Sequence, residues 1–181
     1  MAAKKKAATT KKPAAPQPAA GAGNAGGEEG QQQGGELSIL VQFIKDLSFE
    51  SPNSPKSLQG PGENPQLNVN VNVQAAPQGE NIYEVDLNFE AKATSDDGVI
   101  YNIELVYAGM FRLAGIPEEY LQPVLFVDCP TLLFPFARRI VADLTQEGAF
   151  PPLLLDPVDF AGLYRQNAAQ LQQQTGQAPQ S

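Results

Sequence analysis

The sequence predicts an α+β protein in which a four-stranded antiparallel sheet precedes two helices. The sheet is indicated by two segments, QLNVNVNVQ (66–74) and IYEVDLNFEAKA (82–93), in which apolar and polar residues alternate. Such alternation is typical of strands that bury one face. After residue 131 the apolar residues recur instead at the three- and four-residue spacing of a helix. Strands followed by helices are the order expected of an α+β fold.

Two further strands complete the predicted sheet. The first strand is the apolar-rich LSILVQFIKDLSFE (37–50), and the fourth is VIYNIELVYAGMFRL (99–113), which follows a hairpin signal at Asp97 and Gly98. Between the first two strands lies a loop of fifteen residues (51–65) that contains four prolines and two glycines. Loops of this length are uncommon in compact domains, so we expect this one to have a functional role.

The two helices are predicted from apolar spacing and from capping residues. The first helix is expected from about residue 132 to residue 147, with Pro135 in its first turn, where few N–H bonds are missed. The second helix is expected to begin with Asp156 as its N-cap, Pro157 at the first helical position and Asp159 at the third.

The two ends of the chain are predicted to be disordered tails around one domain. Residues 1–36 consist mainly of Lys, Ala, Pro and Gly, and residues 172–181 are rich in Gln. Neither segment has enough apolar side chains to offset the entropy lost on ordering, so we expect the folded domain over residues 37–171. The basic N-terminal tail could serve as a nucleic-acid arm, but a solvated tail is the preferred interpretation because Lys/Ala runs are unspecific.

The sequence also indicates a cytoplasmic protein. The basic N-terminus is not followed by the apolar stretch of a secretory signal, and no run approaches the roughly 18 apolar residues of a membrane span. The single cysteine, Cys129, suits a reducing compartment, and we expect it to be a buried apolar side chain.

Charge and composition exclude several classes of function. Of the formal net charge of −8, residues 1–35 contribute +3 from five lysines and two glutamates, which leaves −11 for the remainder. An acidic domain argues against nucleic acid as the main partner, since phosphate would repel it. The chain has no histidine, the usual general base and metal ligand, and it has no phosphate-binding, nucleophile or calcium-loop motif. We therefore expect no enzyme activity, no cofactor and no metal site.

The paired carboxylates in KDLSFE raise the question of what the polar sheet face does. In a strand, Asp46, Ser48 and Glu50 share one face, and the two carboxylates are roughly 13 Å apart. Glycosidase carboxylates are about 5 to 10 Å apart, so this pair is too widely spaced for that chemistry. By the same alternation, the polar face also carries Glu84, Asp86, Glu90 and Glu104. A binding face is therefore a better interpretation than a catalytic pair.

Four segments together resemble the SecB family of bacterial protein-export chaperones. They are KDLSFESPNSP, AGMFRLAGI, CPTLLFPFARRIVADL and GAFPPLLLDPVDFAGLY, and the resemblance runs from about Leu37 to Gln174. The last two segments, in this order, are the most specific part of the pattern. The long basic tail is not part of it, so the resemblance gives that tail no role.

The resemblance implies a homotetramer that assembles as a dimer of dimers, with the predicted sheet and helices in each subunit. It implies an ATP-independent holdase that keeps unfolded precursor proteins translocation-competent and delivers them to the SecA motor. In this family the acidic sheet face docks SecA, and the matching positions here are Asp46, Glu50 and Glu104.

Client binding and self-association both need apolar surface, which the sequence offers at several places. The candidates for client binding are Leu58, Leu67, Val69, Val71, Met110, Phe111 and Ile116. For each of these, packing in the subunit's own core is an equal alternative. The candidates for contacts between subunits are Ile103, Leu105, Tyr107, Leu133, Phe136 and Ile140.

Two other functions compete with the general export chaperone. One is a SecB-like chaperone linked to a toxin–antitoxin system, which would guard a single partner. The other is an enzyme or a small-ligand binder built on this sheet, which is disfavoured because the sequence shows no convergent set of polar residues.

Overall fold

A computed structural model describes residues 35–175 of the chain, with side chains described up to residue 169. Its strands and helices are β1 (Glu36–Glu50), β2 (Gln66–Gly79), β3 (Ile82–Ser95), β4 (Gly98–Ala114), α1 (Glu118–Pro123), α2 (Cys129–Glu147) and α3 (Phe160–Thr175). The strands form one antiparallel sheet in the order β1-β4-β3-β2, so β1 and β2 are its edges. The predicted fold class and all four strands are confirmed.

The core lies between one face of the sheet and helix α2. The alternation in β3 and β4 sends every second side chain into this layer, and register pairs such as Phe89 with Leu105 and Ala91 with Ile103 are buried there. Helix α2 contributes a stripe of buried residues at four-residue spacing: Cys129, Leu133, Ala137, Val141 and Thr145. The expected burial of the cysteine is thereby confirmed.

The first helical region begins earlier than the apolar spacing predicts. Helix α1 and helix α2 are joined by a π-helical segment, Val124–Asp128, so the chain is helical from Glu118 to Glu147. The prediction that Pro135 lies in a first turn was wrong. That place is taken by Pro130, and Pro135 lies inside α2 on its exposed side.

Helix α3 begins three residues later than predicted. Its N-cap is Asp159, whose Oδ1 accepts a hydrogen bond of 2.9 Å from the backbone N–H of Gly162. The assignment of Asp156 as the N-cap was wrong, because residues 151–159 have no regular secondary structure and the helix begins only at Phe160. The helix continues to Thr175, past the predicted start of the second tail at residue 172.

Most of both predicted tails lies outside the described residues, in segments 1–34 and 176–181. Within residues 35–175 no helix is long and apolar enough to cross a membrane.

The proline-rich loop 51–65 is tied to the start of β4. The hydroxyl of Ser51 donates a hydrogen bond of 3.0 Å to the carbonyl oxygen of Ile100. The side-chain amide of Asn53 donates one of 2.9 Å to the carbonyl oxygen of Val99. A single 3₁₀ turn, Lys56–Gln59, lies within the loop. These bonds fix the loop beside the end of the sheet.

Candidate functional site

The acidic residues predicted for docking lie together on the outer face of the sheet. Ser48 is directly opposite Glu104 in the pairing of β1 with β4, and Asp46 and Glu50 are its neighbours on the same face. Diagonal neighbours in an antiparallel pair are about 7–8 Å apart, so both carboxylates are within reach of Glu104. The sheet register therefore brings the three predicted residues to one surface.

A fourth carboxylate belongs to this surface. Glu90 of β3 is directly opposite Glu104 of β4, which puts two like charges side by side. Such pairs oppose folding, and no ion pair within residues 35–169 neutralises either of them. We call Asp46, Glu50, Glu90 and Glu104 the acidic face. Its charge is available to a basic partner.

The other two carboxylates of the polar sheet face are neutralised by Lys45. Its Nζ lies 2.8 Å from Oε1 of Glu84 and 2.6 Å from Oδ2 of Asp86. These hydrogen bonds, first to Asp86 and then to Glu84, raise the pKa of Lys45 to about 12, and the bond from Lys45 lowers the pKa of Glu84. Alternation along the strands placed all six acids on one face. Alternation could not show which of the six acids are neutralised, because Lys45 reaches β3 from a bulge between Ile44 and Asp46.

None of these carboxylates forms part of a metal site in the described residues, where no three acidic, histidine or cysteine side chains are grouped to hold an ion. Cys129 is fully buried, and burial, followed by the charge of Asp128, raises the pKa of its thiol to about 12.

An apolar groove runs along β2 on the side of the sheet that faces the helices. Three cavities of about 510, 280 and 720 Å³ follow one another along the strand. The first two share Leu67 and Leu153, and the second and third share Val71. From Leu67 to Val73 the strand extends about 20 Å. We call this continuous surface the β2 groove.

Each compartment of the β2 groove has a different second wall. The first is closed by the proline-rich loop with Leu58, and by Tyr101 and Phe150. The second is closed by the segment Leu153–Leu155. The third lies between β2 and α3 and is bordered by Phe126 and Tyr164, whose rings stack with centroids 6.1 Å apart.

Four of the seven candidate client-binding residues line the β2 groove: Leu58, Leu67, Val69 and Val71. The other three lie elsewhere: Met110 and Phe111 belong to the central strand β4, and Ile116 follows its end. Phe111 is fully buried in the core, Met110 is opposite Glu84 on the outer face, and Ile116 lies beside Gly35. Burial therefore excludes Phe111 from the client site, whereas a client contact at Met110 or Ile116 stays a prediction.

The far wall of the groove was missed by sequence reasoning. Leu154 is 70% exposed, and Phe150 and Leu153 lie beside it in the run GAFPPLLL. The available signal was three leucines in a row directly after two prolines. Such a segment is too apolar for an ordinary solvated connection.

Thr145 fixes this wall to the C-terminal end of α2. The side chain is fully buried, and its Oγ1 accepts a hydrogen bond of 2.9 Å from the backbone N–H of Leu153. The same hydroxyl lies 3.0 Å from the carbonyl oxygen of Ala142, to which it donates. The apolar wall is therefore held in place by a buried polar contact.

A second apolar surface lies at the opposite edge of the sheet. Six large apolar side chains of β1 are 36–49% exposed: Ile39, Leu40, Val41, Phe43, Ile44 and Leu47. On α2, Phe136 is 44% exposed and stacks on Tyr107 with ring centroids 6.2 Å apart. We call the six β1 side chains and Phe136 the β1 edge surface.

The structure changes the set of residues available for contacts between subunits. Ile103, Leu105 and Leu133 have almost no accessible surface in the single chain, and Tyr107 is only 7% exposed. They form the subunit's own core, so their assignment to an interface is corrected. Of the six candidates, Phe136 and the half-buried Ile140 keep accessible surface.

The fold and its two surfaces define an α+β protein suited to binding other protein chains. Residues 29–171 match the model of the SecB family, described as preprotein translocase subunit SecB. The chain belongs to the SecB family of protein-export chaperones.

Curated relatives agree with this assignment. The chain is 52% identical to the protein-export protein SecB of Rhodopseudomonas palustris over 77% of its length and 88% of that protein. It is 54% identical to the protein-export protein SecB of a Bradyrhizobium species over 73% of its length and 82% of that protein.

A solved structure has a similar fold. It is a SecB-like chaperone of Mycobacterium tuberculosis in complex with a ChAD peptide from an antitoxin, with a TM-score of 0.56 and 18% identity. The match covers 67% of this chain and 90% of that one.

Proposed function

We propose that this protein is an ATP-independent holdase that binds unfolded precursor proteins in the β2 groove, keeps them translocation-competent and delivers them to the SecA motor. The observation that carries this proposal is the continuous apolar groove beside an open strand edge. Strand β2 contains no charged residue in its 14 positions. Charged edge residues are a common protection against strand addition, so their lack favours a partner chain there.

The geometry of the β2 groove favours extended, unfolded clients. A chain added beside β2 would satisfy the strand's outward backbone groups, and every second side chain would enter a compartment. The backbone contacts tolerate many sequences, and the compartments select apolar side chains. Binding of this kind stabilises the unfolded state by mass action, and it requires no chemical step.

The acidic face is proposed as the docking surface for SecA, with Asp46, Glu50 and Glu104 as expected and Glu90 as a fourth contributor. A flat surface with four carboxylates attracts a basic partner and orients it on approach. The acidic face and the β2 groove lie on opposite sides of the sheet, so a client and SecA can be bound together.

Assembly as a homotetramer, a dimer of dimers, is proposed to use the β1 edge surface. Pairing of two β1 edges would continue the sheet and bring the exposed apolar side chains of the two strands against each other. The exposed ring of Phe136 offers a second contact for joining the dimers. Removal of residues 1–35 should leave the tetramer unchanged on gel filtration, because that segment has no large apolar residue after Met1 to anchor an interface. We place the protein in the cytoplasm, where precursors await export.

The holdase proposal is tested by the refolding of a slow-folding precursor without nucleotide. The protein should arrest refolding near one tetramer per client, and added SecA should relieve the arrest. Val69→Asp, which puts a charge in the β2 groove, should abolish the arrest. Asn68→Asp puts the same charge on the opposite face of the same strand, and it should arrest as well as the unmodified protein. Equal arrest by both variants would contradict the groove assignment.

The docking proposal is tested by charge reversal. Glu104→Lys should weaken SecA binding about tenfold or more at low salt while refolding arrest stays intact, since close charges are only weakly screened there. Glu63→Lys reverses an exposed acid in the proline-rich loop and serves as the control. Equal loss of SecA binding in both variants would contradict docking at the acidic face. Arrest of a single client, with no effect of SecA, would favour the dedicated toxin–antitoxin chaperone.

A further inference from the structure

Three aromatic rings connect β1 to the wall of the β2 groove. Phe49 stacks on Tyr101 with ring centroids 6.2 Å apart and planes at 24°. Phe150 lies 6.4 Å from Phe49 and 5.2 Å from Tyr101 between ring centroids, with planes at 53° in both pairs. Each ring contacts the other two, so none can move far without displacing its neighbours.

The first of these rings lies directly behind the acidic face. Phe49 follows Ser48 and precedes Glu50, and successive side chains of a strand point to opposite faces. Ser48 and Glu50 are on the outer face opposite Glu104 and Asn102, whereas Phe49 is opposite the buried Ile103. The backbone that carries the docking carboxylates therefore also carries this ring.

The other two rings belong to the β2 groove. Tyr101 and Phe150 line its first compartment. Phe49 also packs against the backbone of Gly148, where an added Cβ would approach the ring to within van der Waals overlap. The segment that leads from α2 to Phe150 in the groove wall therefore packs against the ring of Phe49 at Gly148.

The two segments joined by these rings have irregular backbones. Strand β1 has a bulge at Lys45, next to Asp46. The groove wall passes through Ala149, which has a φ of +62°, in the left-handed region that a residue with a side chain rarely adopts. Strained backbone positions cluster at ligand clamps and switch regions, and bulges re-aim neighbouring side chains.

We propose that Phe49 is a positioning residue that couples the acidic face to the first compartment of the β2 groove. Binding of a partner to Asp46 and Glu50 displaces the end of β1. Phe49 transmits this displacement to Tyr101 and Phe150. The compartment then changes its affinity for an apolar client side chain. This inference rests on the proposed function, because it names the device that regulates the client site. By linkage, client binding must change the affinity for the docking partner by the same factor.

The test measures the coupling factor directly. The affinity of a fluorescent, unfolded apolar peptide is determined with and without saturating SecA, for the full-length protein and for Phe49→Leu. The unmodified protein should show a change of about fivefold or more, in the usual range of coupling between sites. In Phe49→Leu the change should fall below about twofold. Each separate affinity should stay within about threefold of the unmodified value.

Matched variants separate coupling from a general loss of packing. Phe150→Leu removes the partner ring and should lose the coupling as Phe49→Leu does, whereas Tyr101→Phe keeps all three rings and should retain it. Phe126→Leu removes a ring from the third compartment, away from β1. It should weaken peptide binding while leaving the coupling factor unchanged.

The outcomes distinguish this inference from the proposed function. Failure of the unmodified protein to bind peptide or SecA would contradict the proposed function. Binding of both with a coupling factor of one would overturn only the inference. Full coupling in Phe49→Leu, with the variant folded by circular dichroism, would also overturn it.

Discussion

Thr145→Val tests how the groove wall is held. Valine keeps the shape of threonine but removes the hydroxyl, which accepts a hydrogen bond of 2.9 Å from the backbone N–H of Leu153. A buried donor without a partner costs about 1–3 kcal/mol. We expect about 1–2 kcal/mol here, because Leu153 is only half buried and water can replace part of the bond. The carbonyl oxygens that Thr145 contacts belong to helix α2 and can keep their helical partners.

The assay is amide hydrogen exchange at Leu153. Since each 1.4 kcal/mol is a factor of ten, a loss of about 1–2 kcal/mol predicts about 5- to 30-fold faster exchange. The matched control is Thr145→Ser, which keeps the hydroxyl and loses one methyl group. Its global stability should fall by about 0.8 kcal/mol, but the Leu153 amide should remain protected relative to its neighbours.

Denaturation measures a loss of global stability in both variants, whereas amide exchange at Leu153 reports the hydrogen bond itself. If the Leu153 amide of Thr145→Val exchanged as slowly as in the unmodified protein, the assignment of Thr145 as the anchor would be refuted. Faster exchange in Thr145→Ser than in Thr145→Val would refute it as well. Client affinity should fall only in the variant in which the wall is released.

Three further predictions concern other contacts. Gly148→Ala should lower the unfolding free energy by about 1–3 kcal/mol, measured by urea denaturation, because the new methyl group overlaps the ring of Phe49; unchanged stability would show that the ring can move aside. Cys129 should resist thiol reagents at pH 8 in the folded protein and react after denaturation, since its thiol pKa is raised to about 12; rapid labelling of folded protein would contradict its burial. Lys45→Met should raise the pKa of Glu84 in an NMR titration, because Lys45 lowers it. The stability that this depressed pKa provides is present at neutral pH and is lost as the pH falls through the folded pKa, so the variant should lose less stability on acidification.

The sheet could be predicted from the sequence because strand alternation is a local pattern. Leu67, Val69 and Val71 alternate with asparagines, and the structure places these apolar residues on the groove side as the pattern requires. The pairing of Asp46 and Glu50 on one face followed from the same period of two. The resemblance added the expectation that this face docks SecA.

Features that depend on the order of strands and on distant segments could not be predicted in this way. Alternation places Phe111 on an apolar face. Only the tertiary structure, in which β4 is a central strand packed against helix α2, shows that this face is fully covered there. The neutralisation of Glu84 requires a bulge that brings Lys45 across to β3. The far wall of the groove requires the connection after α2 to return to β2, a tertiary contact that the run of leucines does not specify.

The most direct test of the account is the footprint of an unfolded client on the protein, measured by hydrogen exchange with mass spectrometry. Bound client should protect the β2 amides from Leu67 to Val73 and the groove wall from Ala149 to Leu155. The outer-face positions around Glu104 should gain no protection from the client, because the client binds on the other side of the sheet. Protection centred on the acidic face, or no protection along β2, would contradict the assignment of the β2 groove as the client site.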